Sequence, residues 1–326
     1  MSVIRRRITA FSQQSRIKAG SLITSLLGDV VVPRGGRIWL GSLIELLEPM
    51  GLNERLVRTT VFRLVRDGWL ESEPMGRRTD YLLSAAGRKR IEKAAKAIYA
   101  SNHPHWDRRW RLVMAVGDMT AKDRERVRKA LIWQGFGVLS TQCFVHPSAD
   151  LTGAFDTLMR DGLGELLKHL KPLMAASPGA LSNAATDVDM VRAAWDLEQL
   201  AQMYRDFVSR YAPILDQCQQ TPETVSDQDA FIARVLLVHD YRRLLLRDPM
   251  LPDVLQPMNW PGQQARLLCG ELYRRLLPAS ERFLDRHYQL ANGQIPSSAS
   301  TLNERFRGAD PLMRTSEPSL TEPVLP

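Results

Sequence analysis

GSLIELLEPMGLNERLVRTTVFRLVRDGWLESEPMGRRTDYLL, residues 41–83, decides the reading of the N-terminal third. Residues 42–48 predict a short amphipathic helix, which Pro49-Met50-Gly51 breaks. Asn53 is placed to cap a second helix, because its side-chain oxygen can accept from the free amides of the first turn. Val57, Val61, Leu64 and Val65 recur at helical spacing and predict its buried side. Arg55, Arg58, Thr59, Arg63 and Arg66 lie largely off that stripe and are expected to project outward. Gly68 stops the helix, and Trp69-Leu70 begins a strand. Gly76, Arg77 and Arg78 form a hairpin tip that needs a permissive backbone, and Tyr81-Leu82-Leu83 returns.

Helix, turn, helix and hairpin follow one another as in a winged helix-turn-helix. There the second helix enters the major groove and the hairpin grips the adjacent backbone. Arginine suits such a helix because its fork pairs bidentately with a guanine edge and also binds phosphate. A solvated basic helix on another small domain is the competing reading. Charge favours the first: residues 1–100 hold 18 Lys+Arg against 9 Asp+Glu, a net of +9, while the rest of the chain nets −1. A basic balance confined to one module is the footprint of a polyanion-binding domain. The run Arg5-Arg6-Arg7 adds to it, and is read as a solvated, disordered terminus ahead of a groove-reading arm.

At 326 residues the chain has room for two or three domains. No apolar run approaches the roughly 20 residues of a spanning helix, so no membrane partner is expected. The start has a basic region but no apolar core behind it, unlike a secretory signal. Cys143, Cys218 and Cys269 are odd in number and far apart, which argues for a reducing, cytoplasmic setting. No Cys/His set has metal-ligand spacing; His103-Pro-His105 alone carries little weight.

The expected divisions are a winged-helix part over 1–100, a middle part over 101–176, a helical part over 184–291 and a largely disordered tail over 292–326. The fold class is α+β, mostly helical. Within the first part, 19–32 predict a further apolar helix, and Ser84 opens another reaching Tyr99. The middle part reads strand (110–116), helix (122–134), two strands (136–139 and 141–145), then helical stretches at 151–159 and 165–170. That is most of a ferredoxin-like unit. Its closing strand is missing from this reading, because KHLKPLMAAS looks helical. Residues 177–183 are a linker by composition. The third part predicts helices over 188–215, 228–247, 263–277 and 281–288, with a stiff proline-punctuated link over 251–261.

The chain resembles the PaaX family of transcriptional repressors, which control phenylacetate catabolism in bacteria. The resemblance rests on RGGRIWLGSLIELLEPMGLNERLVRTTVFRLVRDGWL at 34–70 with GRRTDYLLS at 76–84, and on Trp106, Trp110 and Leu112 with LIWQGFG at 131–137. It rests further on LLVHDYRRLLLRDPMLPDVLQPMNWPGQQARLLCGELYRRL at 236–276. It implies an N-terminal winged helix, a middle domain similar to a small CRISPR-associated nuclease, and a helical C-terminal domain. It also implies a homodimer on palindromic promoter DNA, released by phenylacetyl-CoA, with no cofactor. Arg58 and Thr59 fall on the family's VRT pattern and become the base-edge candidates; Arg77 and Arg78 become the wing's phosphate contacts.

A CoA thioester needs cations for its phosphates and an apolar slot for its ring. Tyr241, Arg242, Arg243, Trp260 and Arg266 have that chemistry, although the aromatic pair also suits a core and the arginines structural ion pairs. The rival function is enzymatic: Asp118 ends the first middle-domain strand, where the nuclease fold carries a metal-binding aspartate. One carboxylate beside Gly117 departs from the nuclease pattern, so a retained fold without the chemistry is the more economical expectation, with no catalytic and no metal-ligating residue. A DNA-binding regulator that answers to no effector is the third possibility.

Overall fold

The computed structural model describes residues 2–15, 17–100, 105–176 and 185–306. The expected linker over 177–183, His103 and the end of the expected tail, 307–326, lie outside the described residues. Two units separate by internal contacts. The first joins Met1–Asn102, Ile214–His239 and Cys269–Pro326; the second joins His103–Pro213 and Asp240–Leu268. This division cuts through each of the three long C-terminal helices.

The first unit begins with α1 (Val3–Ser12), capped by the Ser2 hydroxyl. Arg5, Arg6 and Arg7 therefore sit on an ordered helix and not in a loose terminus, because Ile4 and Phe11 anchor it as buried side chains and Arg5 pairs with Asp229 at 3.0 Å. Next come α2 (Ala19–Leu26), extended by a wide turn over Leu27–Val31, and the short strand β1 (Arg37–Trp39). They are followed by α3 (Leu40–Leu47), α4 (Glu54–Arg66), the hairpin β2 (Leu70–Met75) and β3 (Arg78–Leu83), and α5 (Ala85–Ile98). Asn53 caps α4 as expected, accepting from the Leu56 amide at 2.9 Å. Gly68 and Gly76 turn the chain at positive φ, 69° and 59°, where a Cβ would be strained. β1 was not foreseen; it pairs antiparallel with β3, giving the order β1-β3-β2.

The second unit holds β4 (Arg109–Ala115), α6 (Ala121–Trp133), β5 (Gly137–Ser140), β6 (Cys143–His146), α7 (Leu151–Leu158) and β7 (Leu170–Ala176). β7 corrects the helical expectation for KHLKPLMAAS. The helical turn ends at His169, and Leu170–Ala176 pairs antiparallel with β4. Pro172 is tolerated because β7 is an edge strand of the sheet β5-β6-β4-β7. Val113 and Phe144 face a core formed with Val127 and Leu131 of α6 and Ala154 and Leu158 of α7. Trp110 and Val145 face a second core with Val191, Leu197, Leu251 and Leu255. The strand period of two thus gives the sheet two covered faces.

The expected helix over 188–215 is two helices, α8 (Asp187–Ala194) and α9 (Leu197–Gln220). Trp195 is extended between them, its indole N–H donating to the Gly135 carbonyl at 3.1 Å, and Asp196 starts α9 by accepting from the Gln199 amide. α10 (Asp227–Leu245) matches expectation. The two helices expected over 263–277 and 281–288 are one, α11 (Pro261–His287), with Pro278 inside it. None of the described helices is long and apolar enough to cross a membrane.

The first unit holds a large apolar core. Leu22, Leu26, Leu43, Leu47, Val57 and Val61 share it with Phe231, Ile232, Val235 and Leu236 of α10 and with Phe283 and Leu284 of α11. Part of the expected disordered tail packs on the same unit. Leu302 is buried, the Ala299 amide donates to the Pro33 carbonyl at 2.8 Å, and Arg305 enters a buried charge cluster. An apolar anchor and a satisfied guanidinium outweigh the entropy suggested by the serines and prolines.

Candidate nucleic-acid interface

α4 has two sides. Val57, Thr60, Val61 and Leu64 are buried, with Thr60 in place of the expected Val65, which is half-buried. Arg55, Arg58, Thr59, Arg63 and Arg66 are exposed, as the spacing predicted. Successive helical residues are about 100° apart, so Arg55, Thr59, Phe62 and Arg66 form the row most directly opposite the buried side. Arg58 stands to one flank and pairs with Glu54 at 2.6 Å. The Thr59 hydroxyl donates back to the Arg55 carbonyl at 2.8 Å. Arg66 contacts Asp67 at 3.1 Å.

The hairpin presents its two arginines differently. Arg77 is exposed at the tip. Arg78 lays its guanidinium over the Trp39 ring, 4.5 Å from the centroid, and donates to the Ala291 carbonyl at 3.4 Å. The return strand is fastened by Asp80, a buried carboxylate that accepts from Arg37 at 2.8 Å and from the Ala291 amide at 2.7 Å. The Trp39 amide donates to the Gln289 carbonyl, and Ser42 donates to that of His287. The chain just after α11 thus braces both the hairpin and α3.

The same unit holds a buried charge cluster that sequence reading missed. Asp29 is 1% exposed, and its carboxylate accepts from Tyr99 at 2.7 Å, Tyr273 at 3.0 Å, Arg305 at 2.7 Å and Arg234 at 2.8 Å. Arg234, wholly buried, also reaches Glu281 at 2.5 Å, which binds Arg34 at 2.7 Å. Burial pushes the Asp29 carboxyl up. The Arg234 and Arg305 charges and the tyrosine hydroxyls outweigh it and hold the group below the usual carboxylate range. Its members come from five separate stretches, so no local pattern announces them.

Of the effector candidates, Tyr241 is a core residue, 1% exposed and 5.6 Å from the Phe207 ring. Arg242 is half-buried, and burial lowers its pKa; Arg243 is exposed and Arg266 buried. Trp260 meets the Tyr204 ring edge-on at 5.9 Å and lines an open groove of about 540 Å³ with Arg205, Asn259, Gln263, Gln264 and Leu267. Arg205, in the lining of that groove and paired with Glu198, was not foreseen. It needed a contact distant in sequence.

Asp118 is exposed, and no group of three metal-ligating side chains gathers among the described residues. Gly117 is explained by packing: a Cβ there would come within 2.4 Å of the His169 ring. All three cysteines are free thiols, and burial pushes them up, most of all Cys269.

Comparison with known proteins now bears on this geometry. Residues 18–87 match the model of the PaaX-like protein, 103–174 that of the PaaX protein central Cas2-like domain, and 195–286 that of the PaaX-like protein C-terminal domain. The chain is 37% identical over 292 residues to the transcriptional repressor PaaX of Escherichia coli (strain K12), covering 90% of this chain and 91% of that one. Its fold is similar to that of the uncharacterized protein Rv0674 from Mycobacterium tuberculosis, with a TM-score of 0.50 at 21% identity, over 79% of this chain and 94% of that chain. The chain belongs to the PaaX family.

Proposed function

We propose that the protein is a DNA-binding transcriptional repressor of phenylacetate catabolic genes, a regulator and not an enzyme, acting in the cytoplasm. The observation that carries this is the outward row of α4, basic and exposed, on a helix whose other side is locked into a core. Likeness to a repressor along nine-tenths of the chain supports it. In this reading α3, α4 and the β2–β3 hairpin form a winged helix-turn-helix. Arg55, Thr59 and Arg66 face the major groove, Arg58 and Arg63 do so from the two flanks, and Arg77 holds phosphate at the wing. Arg78 positions the wing through Trp39. The strand order β5-β6-β4-β7, with a helix after β4 and another after β6, supports a ferredoxin-like middle domain. The protein acts as a homodimer, matching two half-sites with its own two-fold symmetry.

Phenylacetyl-CoA is the proposed effector, bound better by the form that does not hold DNA. The groove beside Trp260 supplies what the thioester needs: an aromatic face, amide side chains and the Arg205 guanidinium. Tyr241 and Arg266 are buried and do not line the groove. The test is binding of the purified protein to the promoter region of a phenylacetate operon, titrated with phenylacetyl-CoA, free phenylacetate and free CoA. Release by the thioester alone is expected, and Trp260→Ala should blunt it while leaving DNA affinity intact. Tight DNA binding with no response to any of the three would retain the repressor and remove the effector.

A further inference from the structure

Phe62 is the anomaly of the α4 surface. It is 70% exposed and lies outside the unit's core, and the exposed residues around it on α4 are cationic or polar. It stands in the outermost row, one turn beyond Thr59 and one turn before Arg66, with Arg63 adjacent. An aromatic ring left in water forgoes the stabilisation that burial would give, and a ligand that covers it recovers that term. The surrounding arginines draw a polyanion, and a duplex offers this face one apolar group at the base edges of its major groove: the C5-methyl of thymine.

We infer that Phe62 reads a thymine methyl, so that the protein discriminates thymine from other pyrimidines at one position in each repeat of its site. This rests on the proposed groove-facing role of α4. The arginines then supply affinity and guanine contacts, and Phe62 supplies a preference no charged side chain on this face can make. The ring covers the methyl and sheds its own water at the same step. It therefore contributes only when α4 is fully seated, and not on a loosely held random duplex.

The test uses the full chain and the tightest duplex it selects from a randomised pool, with each thymine replaced singly by uracil. Uracil keeps the base pair and the O4 acceptor and removes only the methyl. The wild-type protein should lose roughly fourfold in affinity at one thymine per repeat, the value of one buried methyl. Phe62→Ala should weaken the parent duplex by about tenfold and bind parent and uracil duplexes equally at that position. Its melting temperature should match the wild type, because the ring is exposed. If Phe62→Ala keeps wild-type affinity, or weakens binding yet still discriminates uracil, the inference is overturned. A changed sedimentation coefficient with unchanged DNA binding would likewise overturn it, assigning the ring to contact between copies. If the wild type selects no sequence at all, the DNA-reading role of α4 fails first.

Discussion

Two sets of arginines in the first unit live under opposite conditions. Arg55, Arg63 and Arg66 on α4 are in water; Arg34 and Arg234 are inside, each meeting carboxylates that approach from other elements. Taking a guanidinium out of water is costly, and only a nearly complete set of partners repays it. Those partners leave it no charge to offer a ligand. The arginines of α4 face no such cost, and their charge stays available to a polyanion. The N-terminal excess of +9 therefore mixes both kinds, since Arg34 counts toward it and does nothing for a ligand. What matters for nucleic acid is the exposed fraction and its arrangement in a row.

The sharpest way to break this contrast is Asp29→Asn. It leaves Arg234 and Arg305 buried beside a neutral amide, and a loss of about 3–5 kcal/mol is expected, read as a lower urea midpoint at unchanged slope. A midpoint within error of wild type would mean the cluster does not hold the unit together. The wild-type contribution is linked to pH in a defined sense. The folded carboxyl is held low, so its stabilisation is present above the ordinary carboxylate range and is lost as pH falls through the folded value.

His146 shows a third treatment of a basic side chain, burial without charge. Burial, aided by Arg111, holds it down to about 4 against a backbone contact at Pro249, and its Nδ1 accepts from the Ser148 amide at 3.0 Å. Above pH 6.5 it is neutral folded and unfolded and contributes no pH dependence. Between pH 6.5 and about 4 the unfolded chain binds a proton that the folded one refuses, so stability should fall by about 3 kcal/mol on acidification. His146→Gln should flatten that segment of the stability profile. A profile identical to wild type would place the acid sensitivity elsewhere.

On the exposed side the expected effects are smaller and concern binding. Arg55→Ala should cost about 1–3 kcal/mol on the selected site and relax its sequence preference, whereas Arg77→Ala should weaken selected and random duplexes alike. Binding isotherms on both duplexes separate the two. Equal losses from both variants on both duplexes would erase the division between base reading and backbone gripping.

The parts of the molecule that sequence made legible are the locally determined ones. The Asn53 cap, the Val57–Val61–Leu64 stripe, the turn at Gly76 and the outward arginines all follow from neighbours within a few residues. Strand β7 did not, because its Leu-Lys-Pro-Leu-Met run carries a helical composition and becomes a strand only through pairing with β4. Nor did the Trp195 break, which depends on the Gly135 carbonyl sixty residues earlier. The Asp29 cluster needs residues 99, 234, 273 and 305 at once. Phe62 was legible too: helical arithmetic puts it off the buried stripe, where an apolar side chain stands out among arginines.

The shared core of the first unit has a practical consequence. A fragment ending near residue 100 would keep the exposed arginines of α4 yet lose Phe231, Val235, Leu236, Phe283 and Leu284 from its interior and three of the four groups that neutralise or cap Asp29. Such a piece would be sticky and poorly folded, not a minimal DNA-binder. A nonsense codon anywhere before the last helix should thus abolish promoter occupancy as completely as one near the start. Chimeras made by exchanging only the first hundred residues between relatives would have to carry the matching faces of α10 and α11 with them.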